Sequence, residues 1–220
     1  MKYRAVLFDL DGTLLDTIDD LADAMNSALA ACGLPAHPDV ARHRYFVGDG
    51  VRNYVLRVLP EPLRGDEETI ARVTARYRAV YSQGWHVKTR AYDGIVELVR
   101  ELKRRGLRQA VLSNKPDDFS RETVRHFLGL EYFEVVRGAG GELPLKPDPA
   151  SALAVARDMH VPPGEFAYVG DTATDMRTAV AAGMFAVGAL WGFRTAKELL
   201  ESGAQALIER PMDLLKVLEV

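Results

Sequence analysis

One cysteine, Cys32, in 220 residues excludes an internal disulfide and any metal site built from several thiolates, and fits a reducing compartment. No apolar run approaches the ~18 residues that a membrane span needs. Blocks of like charge are missing too: 28 Lys and Arg stand against 31 Asp and Glu, a formal charge of −3. That balance predicts no nucleic-acid partner and no membrane partner, and leaves a small molecule as the expected ligand. The apolar stretch after Lys2 and Arg4 lasts only until Asp9, too short for a secretory signal, so a cytoplasmic location is expected. The histidines, His37, His43, His86, His126 and His160, form no metal-ligand spacing and are expected to be structural or solvated. Internal repeats and low-complexity segments are also absent.

What is present is a chain 48% hydrophobic, enough for a sizeable core. Short apolar runs at residues 4–10, 109–113, 132–137, 166–170 and 185–190 read as strands, with helical patterns between most of them. One such pattern places Ile95, Leu98, Val99 and Leu102 on one face before Gly106; another starts at Pro149, with Asp148 as its cap. Strands alternating with helices predict an α/β fold, a doubly wound parallel sheet of Rossmann-like type covered on both faces. Residues 17–86 break the alternation. Three apolar stripes at helix spacing, led by Ile18, Val51 and Ile70, and a short helix near 39–45 predict a helical bundle. Two domains are therefore expected: residues 1–16 with 87–220 as the sheet core, and 17–86 as an inserted bundle.

The first strand runs into Asp9-Leu10-Asp11-Gly12-Thr13-Leu14-Leu15-Asp16. In extended chain, side chains at i and i+2 share a face, so Asp9 and Asp11 can point into one small volume. Two carboxylates there repel unless a divalent cation sits between them or one stays protonated. Gly12 permits a sharp turn, and Thr13 brings a hydroxyl and an N–H toward an anion. Three more polar signals fall at predicted C-terminal strand ends, where open α/β sheets bind ligands: Ser113-Asn114-Lys115, then Lys146, then Gly170-Asp171-Thr172-Ala173-Thr174-Asp175. Singly, each is an ordinary turn, cap or solvated lysine. Together they complete one site.

These segments, DLDGTLLD, LSNKP, KPDP and GDTATD, resemble the four motifs of the haloacid dehalogenase superfamily over essentially the whole chain. The helical insert resembles the cap domain that the superfamily places after its first motif. Phe46-Val47-Gly48-Asp49-Gly50-Val51 and Ser113-Asn114-Lys115-Pro116 are most similar to the phosphoglycolate phosphatases. The resemblance implies a phosphomonoesterase that forms an aspartyl-phosphate on Asp9, with Asp11 as general acid and base. It further implies Mg²⁺ held by the Asp9 carboxylate, the Asp11 backbone carbonyl and Asp171. Asp175 either joins those ligands or orients water or Lys146.

Ser113 and the N–H of Asn114 would hold phosphoryl oxygens, and Lys146 would neutralise charge that builds during transfer. A phosphate monoester with Asp9 and Asp171 brings roughly −4, and unit charges ~4 Å apart repel by about 4 kcal/mol at an effective dielectric near 20, so cations are required. Mg²⁺ and Lys146 return +3. For a substrate with a second anion, the turn Gly48-Asp49-Gly50 and Arg52 are the candidate readers. Weighed against this are a sugar-phosphate mutase or an inorganic pyrophosphatase of the same superfamily, a dehalogenase, and a binding protein without turnover. Thr13 and the Gly-Asp-Gly loop disfavour the mutase, and the intact acid Asp11 disfavours the dehalogenase. The expected assembly is a monomer or a homodimer.

Overall fold

The computed structural model describes residues 2–219. Strand β1 (Ala5–Phe8) leads to β2 (Leu15–Asp16) and then to four helices, α1 (Ile18–Ala31), α2 (Val40–Phe46), α3 (Val51–Val58) and α4 (Glu67–Gly84). The chain returns through β3 (Arg90–Ala91), which pairs with β2. It continues as α5 (Ile95–Arg104), β4 (Arg108–Pro116), α6 (Asp117–Phe127), β5 (Val135–Ala139), α7 (Ala150–Asp158), β6 (Phe166–Gly170), α8 (Ala173–Ala181), β7 (Phe185–Ala189), α9 (Ala196–Glu201), β8 (Ala206–Ile208) and α10 (Leu214–Val217). Two compact units result: Met1–Leu15 with Ala91–Val220, and Asp16–Arg90.

The first unit is a six-stranded parallel sheet in the order β5-β4-β1-β6-β7-β8. Strand β1 shows why a parallel sheet needs apolar side chains on both faces. Val6 and Phe8 join one core with Val99, Leu102 and Val111, while Ala5 and Leu7 join the other with Ala110, Leu112 and Tyr168. Helix α5 buries Ile95, Leu98, Val99 and Leu102, the positions its periodicity marks.

Three local details depart from expectation. Leu130–Tyr132 form a 3-10 turn after the positive-φ Gly129, and β5 starts only at Val135. Strand β8 escapes the sequence pattern because three residues are too few to show a period. At α7 the cap position is Pro149, and Asp148 supports it from one residue further out by accepting from the Ala150 N–H at 2.8 Å.

The second unit is the helical insert. Asp39 and Asp66 cap α2 and α4, accepting from Ala41 N at 3.0 Å and Glu68 N at 3.1 Å. His43 is fully buried between the Tyr54 hydroxyl at 2.6 Å and the His37 carbonyl at 3.0 Å, as expected of a structural histidine. Burial lowers its pKa. Asp20, also buried, accepts from both backbone N–H groups of Lys88 and Thr89 and from the Thr89 hydroxyl, which fastens the start of α1 to the segment before β3.

Candidate active site

The central strands β4, β1 and β6 carry polar residues at their C-terminal ends, and β1 sits between the other two. Asp9 follows β1 directly; its N–H donates to the Val169 carbonyl of β6 at 2.9 Å, so the chain is still held to the sheet where the acid begins. Past it, Gly12 turns the chain at φ 94°, its N–H donating to the Leu15 carbonyl at 2.8 Å. A Cβ at Gly12 would lie 2.4 Å from Asp171 Oδ2, so the position also demands glycine for space.

Lys146 is the hub. Its ammonium lies 2.7 Å from Asp9 Oδ1, 2.7 Å from Asp175 Oδ1 and 3.2 Å from the Leu112 carbonyl, with its side chain 3% exposed. Burial alone would pull this ammonium's pKa down, but Asp175 and Asp9 outweigh it and hold Lys146 firmly protonated. Asn114 fixes the lysine's backbone: the Asn114 amide donates to the Lys146 carbonyl at 3.0 Å and its Oδ1 accepts from the Lys146 N–H at 2.9 Å.

Asp171 follows β6 directly and accepts from the Thr13 hydroxyl at 2.9 Å and the Phe193 N–H at 2.7 Å. Asp175 stands in the first turn of α8 as the third residue of a capping box with Thr172. Thr172 N and Oγ1 reach its Oδ2 at 3.1 and 2.5 Å, and the Tyr168 hydroxyl reaches Oδ1 at 3.4 Å beside Lys146. Four donors on one carboxylate use nearly all its lone-pair sites.

Asp9, Asp171 and Asp175 place one carboxylate oxygen each within 4.8 Å of one another, all buried. Burial first, then Asp175 and Asp171, raise Asp9 well above the ordinary carboxylate range against the pull of Lys146. Burial, followed by Asp175, pushes Asp171 up to about 7. Three acids facing one ammonium form a centre short of positive charge with only oxygen donors, the chemistry that suits Mg²⁺.

Asp11 points elsewhere. Its Oδ1 lies 2.8 Å from the Lys115 ammonium, and the Asp11 carboxylate is not in the three-acid cluster. Lys115 belongs to the Ser-Asn-Lys motif, but nothing in the sequence assigns it a partner 104 positions away. Ser113 is buried at the same edge, its Oγ accepting from the Lys115 N–H at 3.1 Å.

The cap candidates lie in the second unit. Gly48 and Gly50 both take positive φ, 113° and 86°, and Gly50 opens α3. Asp49 pairs with Arg57. Arg52 pairs with Glu67 at 2.6 Å with both side chains exposed, the kind of surface pair that adds little stability.

A family model described as haloacid dehalogenase-like hydrolase matches residues 3–183. The chain belongs to the haloacid dehalogenase-like hydrolases. It is 34% identical over 217 residues to phosphoglycolate phosphatase 1 of Pseudomonas aeruginosa, covering 96% of this chain and 78% of that one. With the phosphoglycolate phosphatase of Nitrosospira multiformis it shares 32% identity over 222 residues, covering 100% and 97%. Among solved structures, one from Lactobacillus delbrueckii subsp. bulgaricus superposes with a TM-score of 0.93 at 28% identity over 99% of both chains. CbbY from Rhodobacter sphaeroides, solved in complex with phosphate, gives 0.78 at 26% identity over 99% of this chain and 100% of that one. This hydrolase is a phosphatase. Among the described residues, no helix is long and apolar enough to cross a membrane.

Proposed function

We propose that this phosphatase hydrolyses 2-phosphoglycolate with Mg²⁺ through an aspartyl-phosphate on Asp9. The observation that carries the proposal is the Asp9 carboxylate at the end of β1, held at 2.7 Å by the buried Lys146 ammonium and crowded by Asp171 and Asp175. The names of the curated relatives support the substrate.

Asp9 attacks phosphorus, and Lys146 stays beside it to neutralise charge on the phosphoryl oxygens as the bond to the leaving oxygen breaks. Ser113 and the Asn114 N–H add hydrogen bonds to those oxygens, and Thr13 supports Asp171. Asp11 turns from Lys115 to protonate the leaving alkoxide and later takes a proton from the water that cleaves the aspartyl-phosphate. Asp9, Asp171 and the Asp11 backbone carbonyl would hold Mg²⁺, which supplies Lewis-acid polarisation of the phosphoryl group. Asp175, with its oxygens already served by four donors, fits better as the residue that aims Lys146. The Gly48–Gly50 turn and Arg52 are the cap candidates for reading the substrate.

The test is a panel of phosphate monoesters and pyrophosphate assayed with Mg²⁺ for released phosphate. 2-Phosphoglycolate should show the highest kcat/KM. A preference for pyrophosphate, or transfer between sugar phosphates with no phosphate released, would overturn this assignment.

A further inference from the structure

The loop between β7 and α9 supports the acid cluster from outside the four motifs. It is fastened at both ends: the Leu190 N–H donates to the Ile208 carbonyl of β8 at 3.0 Å, and Thr195 closes a capping box with Glu198 at the start of α9. Between these anchors three successive residues meet the turn after β1 or Asp171 itself. The Trp191 indole N–H donates to the Thr13 carbonyl at 2.9 Å. Gly192 lies so close to that turn that a Cβ there would come within 2.5 Å of the Gly12 carbonyl oxygen. The Phe193 N–H donates to Asp171 Oδ2 at 2.7 Å, while the Thr13 hydroxyl donates to Asp171 Oδ1 at 2.9 Å. Each oxygen of Asp171 is therefore held by a donor, one carried on the loop and one on Thr13. The Thr13 donor has the weaker footing. Thr13 is fully buried, and its own N–H reaches the Leu10 carbonyl at 3.4 Å, near the limit of a hydrogen bond. A hydroxyl keeps a carboxylate in one place only when the backbone beneath it is fixed, and the indole bond fixes it.

We infer that Trp191 is a positioning residue for the cation centre: by holding the Thr13 carbonyl it keeps the Thr13 hydroxyl on Asp171, and so fixes the carboxylate that would hold Mg²⁺. The inference rests on the reading of Asp171 as a Mg²⁺ ligand and is independent of which ester is hydrolysed. Trp191 is half-buried and packs against the first core of the sheet, which by itself would account for a tryptophan. Packing needs no particular partner for the N–H. Here the partner is the main chain of the residue that donates to Asp171. A carboxylate left free to turn must be ordered when the cation binds, so losing the indole bond weakens Mg²⁺. Because Trp191 acts through the Thr13 hydroxyl, its effect disappears once that hydroxyl is gone.

The Kd for Mg²⁺, read from the rise in Tm as Mg²⁺ is added to the chelator-stripped full chain, tests this without turnover. Trp191→Phe keeps an aromatic ring and loses the donor, and should raise that Kd by at least about 5-fold. Trp191→Met, which fills irregular space without a donor, serves if the phenylalanine variant does not fold by circular dichroism. Thr13→Val, which keeps the branched shape and loses the hydroxyl, should raise the Kd by about 10-fold. In the Thr13→Val background, Trp191→Phe should add less than about 2-fold. A wild-type Kd in a folded Trp191 variant or in Thr13→Val, or effects that multiply in the double variant, would overturn the inference while leaving the Mg²⁺ reading intact. No stabilisation of the wild type by Mg²⁺, or an affinity unchanged in Asp171→Asn, would overturn that reading and this inference together.

Discussion

The Asn114 carboxamide closes a ring of two hydrogen bonds on the backbone of Lys146, 3.0 Å to its carbonyl and 2.9 Å from its N–H. The loop between β5 and α7 is thereby fastened to β4, and the Lys146 ammonium is delivered to Asp9 with little freedom left in its backbone. Removing the clasp should cost position more than charge. Asn114→Ala should lower kcat by about 10- to 100-fold and leave two buried backbone groups without partners, each at about 1–3 kcal/mol. Wild-type kcat in that variant would show that the lysine is positioned by Asp175 and Asp9 alone.

Asp9→Asn keeps the shape of the side chain and removes the nucleophile. Turnover should fall by at least about three orders of magnitude with the fold retained. Residual activity near a tenth of wild type in a variant with native circular dichroism would rule out the aspartyl-phosphate route.

The acid cluster makes stability depend on pH in a stated direction. Burial holds the Asp171 pKa up to about 7, whereas the unfolded chain releases that proton near pH 4. Between these values the folded state binds the extra proton, so stability contributed by Asp171 falls as pH rises through the window. In excess chelator, Tm should drop from about pH 5 to about pH 7.5, and less so in Asp171→Asn. Added Mg²⁺ should raise the wild-type Tm more at the higher pH, where the acids are easier to ionise, and activity lost to chelator should return. Identical pH profiles of Tm for wild type and Asp171→Asn would contradict the burial argument.

Glycine crowds Asp171 from a second side. A Cβ at Gly192 would meet Asp171 Cβ at 2.2 Å and the Gly12 carbonyl oxygen at 2.5 Å, and neither atom belongs to a flexible side-chain end. Gly192→Ala should therefore displace Asp171, destabilising the protein by about 1–3 kcal/mol and raising the Mg²⁺ concentration needed for half-maximal activity. An unchanged Mg²⁺ requirement would separate Asp171 from the cation.

Arg52 tests the cap. Because its pairing with Glu67 is exposed, Arg52→Ala should leave Tm within about 2 °C. If Arg52 meets the substrate carboxylate, the KM for 2-phosphoglycolate should rise several-fold while an aryl phosphate is unaffected. Equal KM values for wild type and variant would remove Arg52 from recognition.

Much of this protein is legible without coordinates. The unbroken apolar run Ala5–Phe8 and the i, i+3, i+4 spacing of Ile95, Leu98, Val99 and Leu102 are local properties of a buried strand and a helix, so they survive as pattern. The acids after β1 and β6 are likewise marked by where the apolar runs stop. Who faces whom is another matter. Lys146 reaches Asp9 across 137 positions, Asn114 holds Lys146 across 32, and Lys115 holds Asp11 across 104. Those meetings depend on β1 lying between β4 and β6, on the register shift at Lys115, and on glycines that admit close approach at Gly12, Gly138 and Gly192. Strand order and register come from packing the whole sheet, which no local period encodes. The residue types of the site are thus written in the chain, whereas the pairing of Asp11 with Lys115 and not with the cluster of Asp9, Asp171 and Asp175 was decided by the tertiary fold.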